Sequence, residues 1–268
     1  YLLRIVKLQN VKINEFAFVE NKLKLDIGNV LVNDLNGKIT SSKPTKTKQK
    51  RNFDGIAFPL TVKNFNLKNS NLVFDRDTKH LVFNDLNVTI QNFEMNENTV
   101  KNRVPFKLGF YSLTTRNFSH KTDFYTFSSS LLKISKNNIQ ISNFAMKPRY
   151  SRSQFIKMIP AEKDLYDLKI NQISMNGTWD FGSASRFLNA SQVTLDGVNA
   201  NIFRSKIPKD DLTEKPLYSK LLRSIKFPMY IQNLDIKNSF LQYEEDTKQS
   251  EGPGKLTFNN FNLNAKIR

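Results

Sequence analysis

The stretch Phe58-Pro59-Leu60-Thr61-Val62-Lys63-Asn64-Phe65-Asn66-Leu67-Lys68-Asn69-Ser70 recurs without a gap as Phe227-Pro228-Met229-Tyr230-Ile231-Gln232-Asn233-Leu234-Asp235-Ile236-Lys237-Asn238-Ser239. Phe-Pro, the apolar positions and Lys-Asn-Ser coincide in the two copies. Within each copy apolar residues alternate with polar ones, the two-residue period of a half-buried strand. Each copy runs on into Leu72-Val73-Phe74 or Leu241-Gln242-Tyr243 and then an acidic turn, Asp75-Arg76-Asp77 or Glu244-Glu245-Asp246. A further run closes the unit, Leu81 to Val88 or Leu256 to Leu263. A looser copy has Leu168, Ile170, Ile173 and Met175, then Val193 to Ala200. The repeat reads as a three-stranded antiparallel meander.

The alternation slips at equivalent places. Leu60 and Val62 share a face with Phe65 and Leu67 only if one extra residue intervenes, and Met229, Ile231, Leu234 and Ile236 repeat the pattern. In the closing run, Phe83 to Leu86 and Val88, Leu195 to Val198, and Phe258 to Phe261 again skip by three. A one-residue slip turns the rest of a strand inside out unless a β-bulge absorbs it, and bulges bend a sheet. Bulges aligned down a stack of repeats predict a sheet curled along its length, a trough apolar inside and polar outside. An ordinary closed sandwich with bulged corners fits the same pattern.

Alternation extends outward in both directions, through Leu23-Lys24-Leu25-Asp26-Ile27, Phe106 to Phe110, Leu132-Lys133-Ile134 and Ile139-Gln140-Ile141. Two stretches carry a helical period: Ser153 to Asp164, with Ser153 as a cap and Pro160 as a breaker, and Pro216 to Ile225. The predicted fold is mostly β: repeated antiparallel meanders in a strongly curled, elongated sheet with two short helical connectors. Residues 1–57 supply N-terminal strands and 58–150 a meander repeat. A connector over 151–165 leads to the looser repeat at 166–208, and a linker over 209–226 leads to the last repeat at 227–268.

Composition narrows the chemistry. Of 268 residues, 39% are hydrophobic, and Lys+Arg outnumber Asp+Glu by 41 to 24. There is no cysteine, so a disulfide scaffold, a thiol nucleophile and Cys-ligated metal are excluded. With His80 and His120 the only histidines, both read as surface or strand-end residues, no His-rich metal site can form. No Gly-x-Ser-x-Gly, phosphate-binding Gly-x-x-x-x-Gly-Lys or dinucleotide motif occurs. The acidic clusters read as hairpin-turn residues and Trp179 as a packed or groove-lining aromatic. We therefore expect no enzyme, cofactor or metal. The net charge of +17 has two readings, an anionic partner or a Lys- and Asn-rich composition. Lys43, Lys46, Lys48, Lys50 and Arg51 form the one dense cluster, a basic loop and candidate anion contact. Nucleic acid is not expected, because the aromatics share the alternating positions of the aliphatics instead of forming an exposed platform. No run approaches the roughly 18 apolar residues of a membrane span. The start at Tyr1, without a leader, reads as an internal piece of a longer protein.

The order of these motifs resembles the AsmA-like family of bacterial envelope proteins, in particular its large Bacteroidetes members. The residues that carry the likeness are Lys215-Pro216-Leu217-Tyr218, Phe227-Pro228-Met229, Ile236-Lys237-Asn238-Ser239, Gln242-Tyr243-Glu244-Glu245, Gly254-Lys255-Leu256-Thr257-Phe258 and Ala145-Met146-Lys147-Pro148-Arg149-Tyr150-Ser151. The likeness covers residues 58–268. Such proteins are similar to bridge-like lipid-transfer proteins, whose β-meanders form an apolar groove. The resemblance implies a periplasmic segment that shelters phospholipid or other envelope lipid between inner and outer membranes, working with other envelope proteins. It also implies a membrane anchor outside these residues. Desolvating an acyl chain of about 15 methylenes is worth about 12 kcal/mol at roughly 0.8 kcal/mol each. A groove lined by the slipping apolar residues named above, with Ile170 and Ile173 of the looser copy, would supply that without chemistry. The alternative is an envelope β-domain with a closed core that serves structure or protein interaction.

Overall fold

The computed structural model describes residues 2–4, 7–19, 22–41, 58–100, 104–180, 186–210, 227–249 and 251–267. In chain order the strands are β1 (Leu2–Arg4), β2 (Lys7–Val19), β3 (Lys22–Asn33), β4 (Asn36–Ser41), β5 (Leu60–Arg76), β6 (Lys79–Met95) and β7 (Lys107–Lys121). They continue as β8 (Tyr125–Ser135), β9 (Asn138–Pro148), β10 (Asp164–Asp180), β11 (Phe187–Ser205), β12 (Met229–Asp246) and β13 (Gly254–Ile267), with helix α1 (Arg152–Met158) between β9 and β10. All belong to one curled 13-stranded sheet in which β5 to β13 lie side by side in chain order.

Two expectations about the repeat are corrected. The Leu60 run and the Leu72 run are one strand of 17 residues, and their equivalents in β12 are one strand of 18. The repeated unit is thus a long hairpin, β5–β6 or β12–β13. Lys-Asn-Ser, which the periodicity places between strands, lies inside each one as a bulge. The sheet is also mixed. β3 and β4 run parallel to β5, and β11 runs parallel to β12.

Parallel neighbours need a long connection. Each here ends on the repeated Phe-Pro immediately before its strand. The Pro59 carbonyl accepts from the Leu25 N–H, and the Pro228 carbonyl from the Leu188 N–H, both at 3.0 Å. Proline fits where the ladder has yet to begin and its missing N–H leaves no partner orphaned. The basic cluster from Lys43 to Arg51 and the second helical stretch, Pro216 to Ile225, fall in these connections and lie outside the described residues.

The first helical stretch is a helix, capped two residues earlier than the sequence suggests. The Ser151 side chain accepts from the Gln154 N–H, and the Gln154 side chain returns a bond to the Ser151 N–H. Ser153 lies in the first turn, and the helix stops before Pro160. Phe155 is 1% exposed and packs with Ile159, Leu165 and Phe203. Leu165 and Phe203 are directly paired across β10–β11, and Phe203 pairs with Glu244 on β12. The Glu244 carboxylate receives a two-pronged bond from Arg152, at 2.6 and 3.0 Å. These residues mark one face of the sheet, and α1 sits on it.

Candidate functional site

The opposite face is apolar from one side of the sheet to the other. Val62 lies beside Ile27 on β3 and Phe93 on β6, Phe65 beside Val30 and Ile90, and Leu67 beside Val32 and Val88. The row passes through Leu113 to Ile134, then Ile139 and Ile141 to Met175 and Ile173. It continues through Val193 and Leu195 to Leu234 and Ile236, and ends at Leu263 on β13. Of the other candidate groove residues, Leu60 pairs with Met95, Phe83 with Leu72, Leu86 with Ser70, Ile170 with Val198, Met229 with Leu188, Ile231 with Ala190, Phe258 with Leu241 and Phe261 with Ser239. Leu67, Leu86, Ile170 and Ile231 are buried, Phe258 is 43% exposed, and the rest are partly exposed. A closed sandwich would bury such positions throughout.

A line of left-handed residues crosses the strands midway. Asp34 (φ 56°), Asn69 (51°), Asp85 (47°), Asn117 (50°), Asn143 (51°), Gly197 (66°), Asn238 (51°) and Asn260 (51°) occupy it in turn. Each lies inside a three-residue slip of the apolar pattern. Asn and Asp tolerate this conformation because a short polar side chain bonds locally. At Gly197 a Cβ would also crowd the Asn171 side chain, which glycine avoids. On β5–β6, Leu67 pairs with Val88, Ser70 with Leu86 and Leu72 with Phe83. First β5 carries the extra residue and then β6 does, so the register is restored beyond the seam.

The serine of Lys-Asn-Ser repairs what the bulge breaks. Ser70 Oγ accepts the Leu35 N–H of the parallel neighbour at 3.1 Å and donates to the Lys68 carbonyl at 2.9 Å. Ser239 does the same with Val198 and Lys237, at 3.2 and 2.7 Å. Side chains of Asn87 and Asn262 accept the Asn69 and Asn238 N–H groups at 3.1 and 3.0 Å. On β7, Thr115 donates to the Asn84 carbonyl at 2.6 Å.

Several residues at the seam are sheltered from solvent. On the apolar face Ser70 and Thr115 at 0%, Ser239 at 3%, Leu86 at 4% and Ile170 at 6% are buried along the seam, and Ala190 at 0% and Met95 at 4% are buried away from it. A floor is sheltered when the walls rise around it. Phe258 and Phe261, three apart along β13, also touch over their bulge at 6.4 Å between ring centres. An apolar face on the inside of the curl fits this shelter and this ring contact, and we call that face the inner face. On one side of the seam its lining is mainly aliphatic. On the other, ring contacts step across strands from Phe74 to Phe83 (6.2 Å) and Phe118 (5.4 Å). A second series joins His120, Phe127 and Phe144 at 6.1 and 6.4 Å.

Trp179 is on this inner face, as the sequence suggests, and its Nε1 donates to Tyr111 Oη at 2.9 Å. The bond bridges the turn of the shorter β8–β9 hairpin. Glu244, read as a turn acid, is instead in β12. Arg152, Asn201 and Gln242 all donate to it and hold its carboxyl at about 2, against burial, which pushes the other way. Asp75 is held below its usual value by Lys38 and His80. The outer face has a cleft of about 470 Å³ beside α1. Its cations are largely answered, Lys147 by Asp167 and Arg152 by Glu244. Among the described residues no cluster could hold a metal ion, and no helix is long and apolar enough to cross a membrane. Compared with protein-family models, curated proteins and solved structures, the chain matches none.

Proposed function

We propose that this chain is a non-enzymatic lipid-accommodating segment, holding acyl chains of phospholipid or another envelope lipid along the inside of its curled sheet. The observation that carries the reading is the apolar inner face, continuous from β3 to β13 and still partly exposed. Nine spacings of about 4.8 Å give roughly 43 Å of groove. That length accepts extended acyl chains and is one section of a longer path between inner and outer membranes. The periplasm is the compartment this reading requires, and the resemblance to AsmA-like proteins points the same way.

The test is the lipid carried by protein purified from cells, measured by mass spectrometry. Wild-type protein should carry phospholipid in stoichiometric amounts. Val62→Asp with Leu234→Asp places two carboxylates on the partly exposed lining, and should lower that load at least fivefold while circular dichroism stays native. Lipid-free wild-type protein that also takes up none from phospholipid vesicles would rule the reading out.

A second reading rests on a different observation. The outermost strands expose Phe16 (63%), Phe18 (74%) and Leu256 (55%), and open strand edges of this kind accept another strand. A scaffold that pairs with envelope proteins through its edges would use those residues and leave the groove empty.

A further inference from the structure

The groove floor carries hydroxyls at intervals, and nearly all are occupied. Ser70 and Ser239 cap bulges, and Thr115 holds the Asn84 carbonyl. Ser129 is different. It is 4% exposed, and its Oγ, fully buried, has no hydrogen-bond partner. Its strand β8 has no left-handed residue, so there is no bulge for the hydroxyl to cap.

A second orphan lies beside it. His120 Nδ1 is buried and unpartnered. Phe118 pairs with Ser129 and His120 with Phe127 across β7–β8, so Ser129 and His120 are diagonal neighbours on the inner face. Around them stand Phe118, Phe127 and, from the β8–β9 register, Phe144. The His120 ring lies nearly parallel to that of Phe127, 6.1 Å between centres with an interplanar angle of 23°. Buried polar atoms normally find partners, so two unanswered ones together in an apolar wall indicate a ligand's polar group.

We propose that Ser129 and His120 form a polar station in the groove that binds the two oxygens of the carboxyl or ester group at the head of an acyl chain. This rests on the lipid-groove reading above. The Ser129 O–H donates to one oxygen of that group, and the Nδ1–H tautomer of His120 to the other. Diagonal neighbours in a sheet are about 7–8 Å apart. One carboxyl or ester group with a hydrogen bond of about 2.8 Å on each side spans such a gap. The aromatic rings would flank the first methylenes, and the tail would lie over the aliphatic side of the seam. The carbonyl could be that of a free fatty acid or of a glycerophospholipid ester.

The experiment uses the whole chain and three probes: oleate, dioleoyl phosphatidylethanolamine in vesicles, and hexadecane. Ser129→Ala and His120→Phe should each weaken binding of a carbonyl-bearing probe about five- to twentyfold and leave hexadecane unchanged. Ser129→Thr, which keeps the hydroxyl, should retain wild-type affinity. Loss for oleate alone identifies the free acid, and loss for the phospholipid identifies the ester; either supports the station. Unchanged carbonyl binding overturns the station and leaves the groove standing. An equal loss for hexadecane also overturns it, because the defect is then one of packing. Failure of wild-type protein to bind any probe would overturn the groove reading itself.

Discussion

An asparagine in left-handed conformation inside a strand leaves backbone groups of its neighbours without ladder partners, and one hydroxyl nearby repairs the damage. Ser239→Ala removes that hydroxyl and strands the half-buried Val198 N–H, which costs about 1–2 kcal/mol. Urea unfolding should show this as a lower midpoint at unchanged slope. Asn238→Gly should be nearly neutral, whereas Asn238→Val should destabilise by about 1–3 kcal/mol, because a β-branched residue is strained at this φ. The motif Lys-Asn-Ser was legible as a repeat, but its purpose was not. Sequence alone does not say that the Ser70 hydroxyl meets Leu35, a residue 35 positions away. The same limit hid His120, whose strand-end position in sequence gives no sign that Nδ1 is enclosed by its neighbours.

At the scale of elements, α1 acts as a clasp on the outer face. Phe155→Ala should cost about 3–5 kcal/mol by emptying its site among Ile159, Leu165 and Phe203. On the proposed lipid-groove reading, lipid carriage should persist in the folded fraction, since the clasp is on the opposite face. The salt link from α1 to β12 makes this clasp acid-sensitive. Glu244 has its pKa depressed from 4.5 to about 2, chiefly by Arg152. Its contribution to stability is complete above about pH 5 and is lost as pH falls toward 2, because the unfolded chain takes up the proton first. Thermal melts from pH 6 to pH 2 should show this loss in wild-type protein and a flatter profile in Glu244→Gln. The period-two pattern gave the strands readily, because alternation is a local property. It divided β5 and β12 wrongly, since an internal bulge and a turn use the same Asn and Ser residues.

At the scale of the whole molecule, an open apolar interior should behave differently from a packed core. Folded protein stripped of lipid should bind the dye ANS strongly while its near-ultraviolet circular dichroism stays native, and phosphatidylethanolamine vesicles should displace the dye. A closed sandwich of the same composition would bind little dye until it unfolds. The sequence by itself determined that the chain is built of strands, that they carry one apolar face, and that this face slips at recurring positions, because each follows from the order of neighbouring side chains. Only the tertiary structure decided how the slips combine. Strands far apart in sequence bring their left-handed residues into one line across the sheet. Parallel pairing at β3–β5 and β11–β12 was likewise invisible, because alternation is identical in parallel and antiparallel neighbours and the connection between them sets the direction.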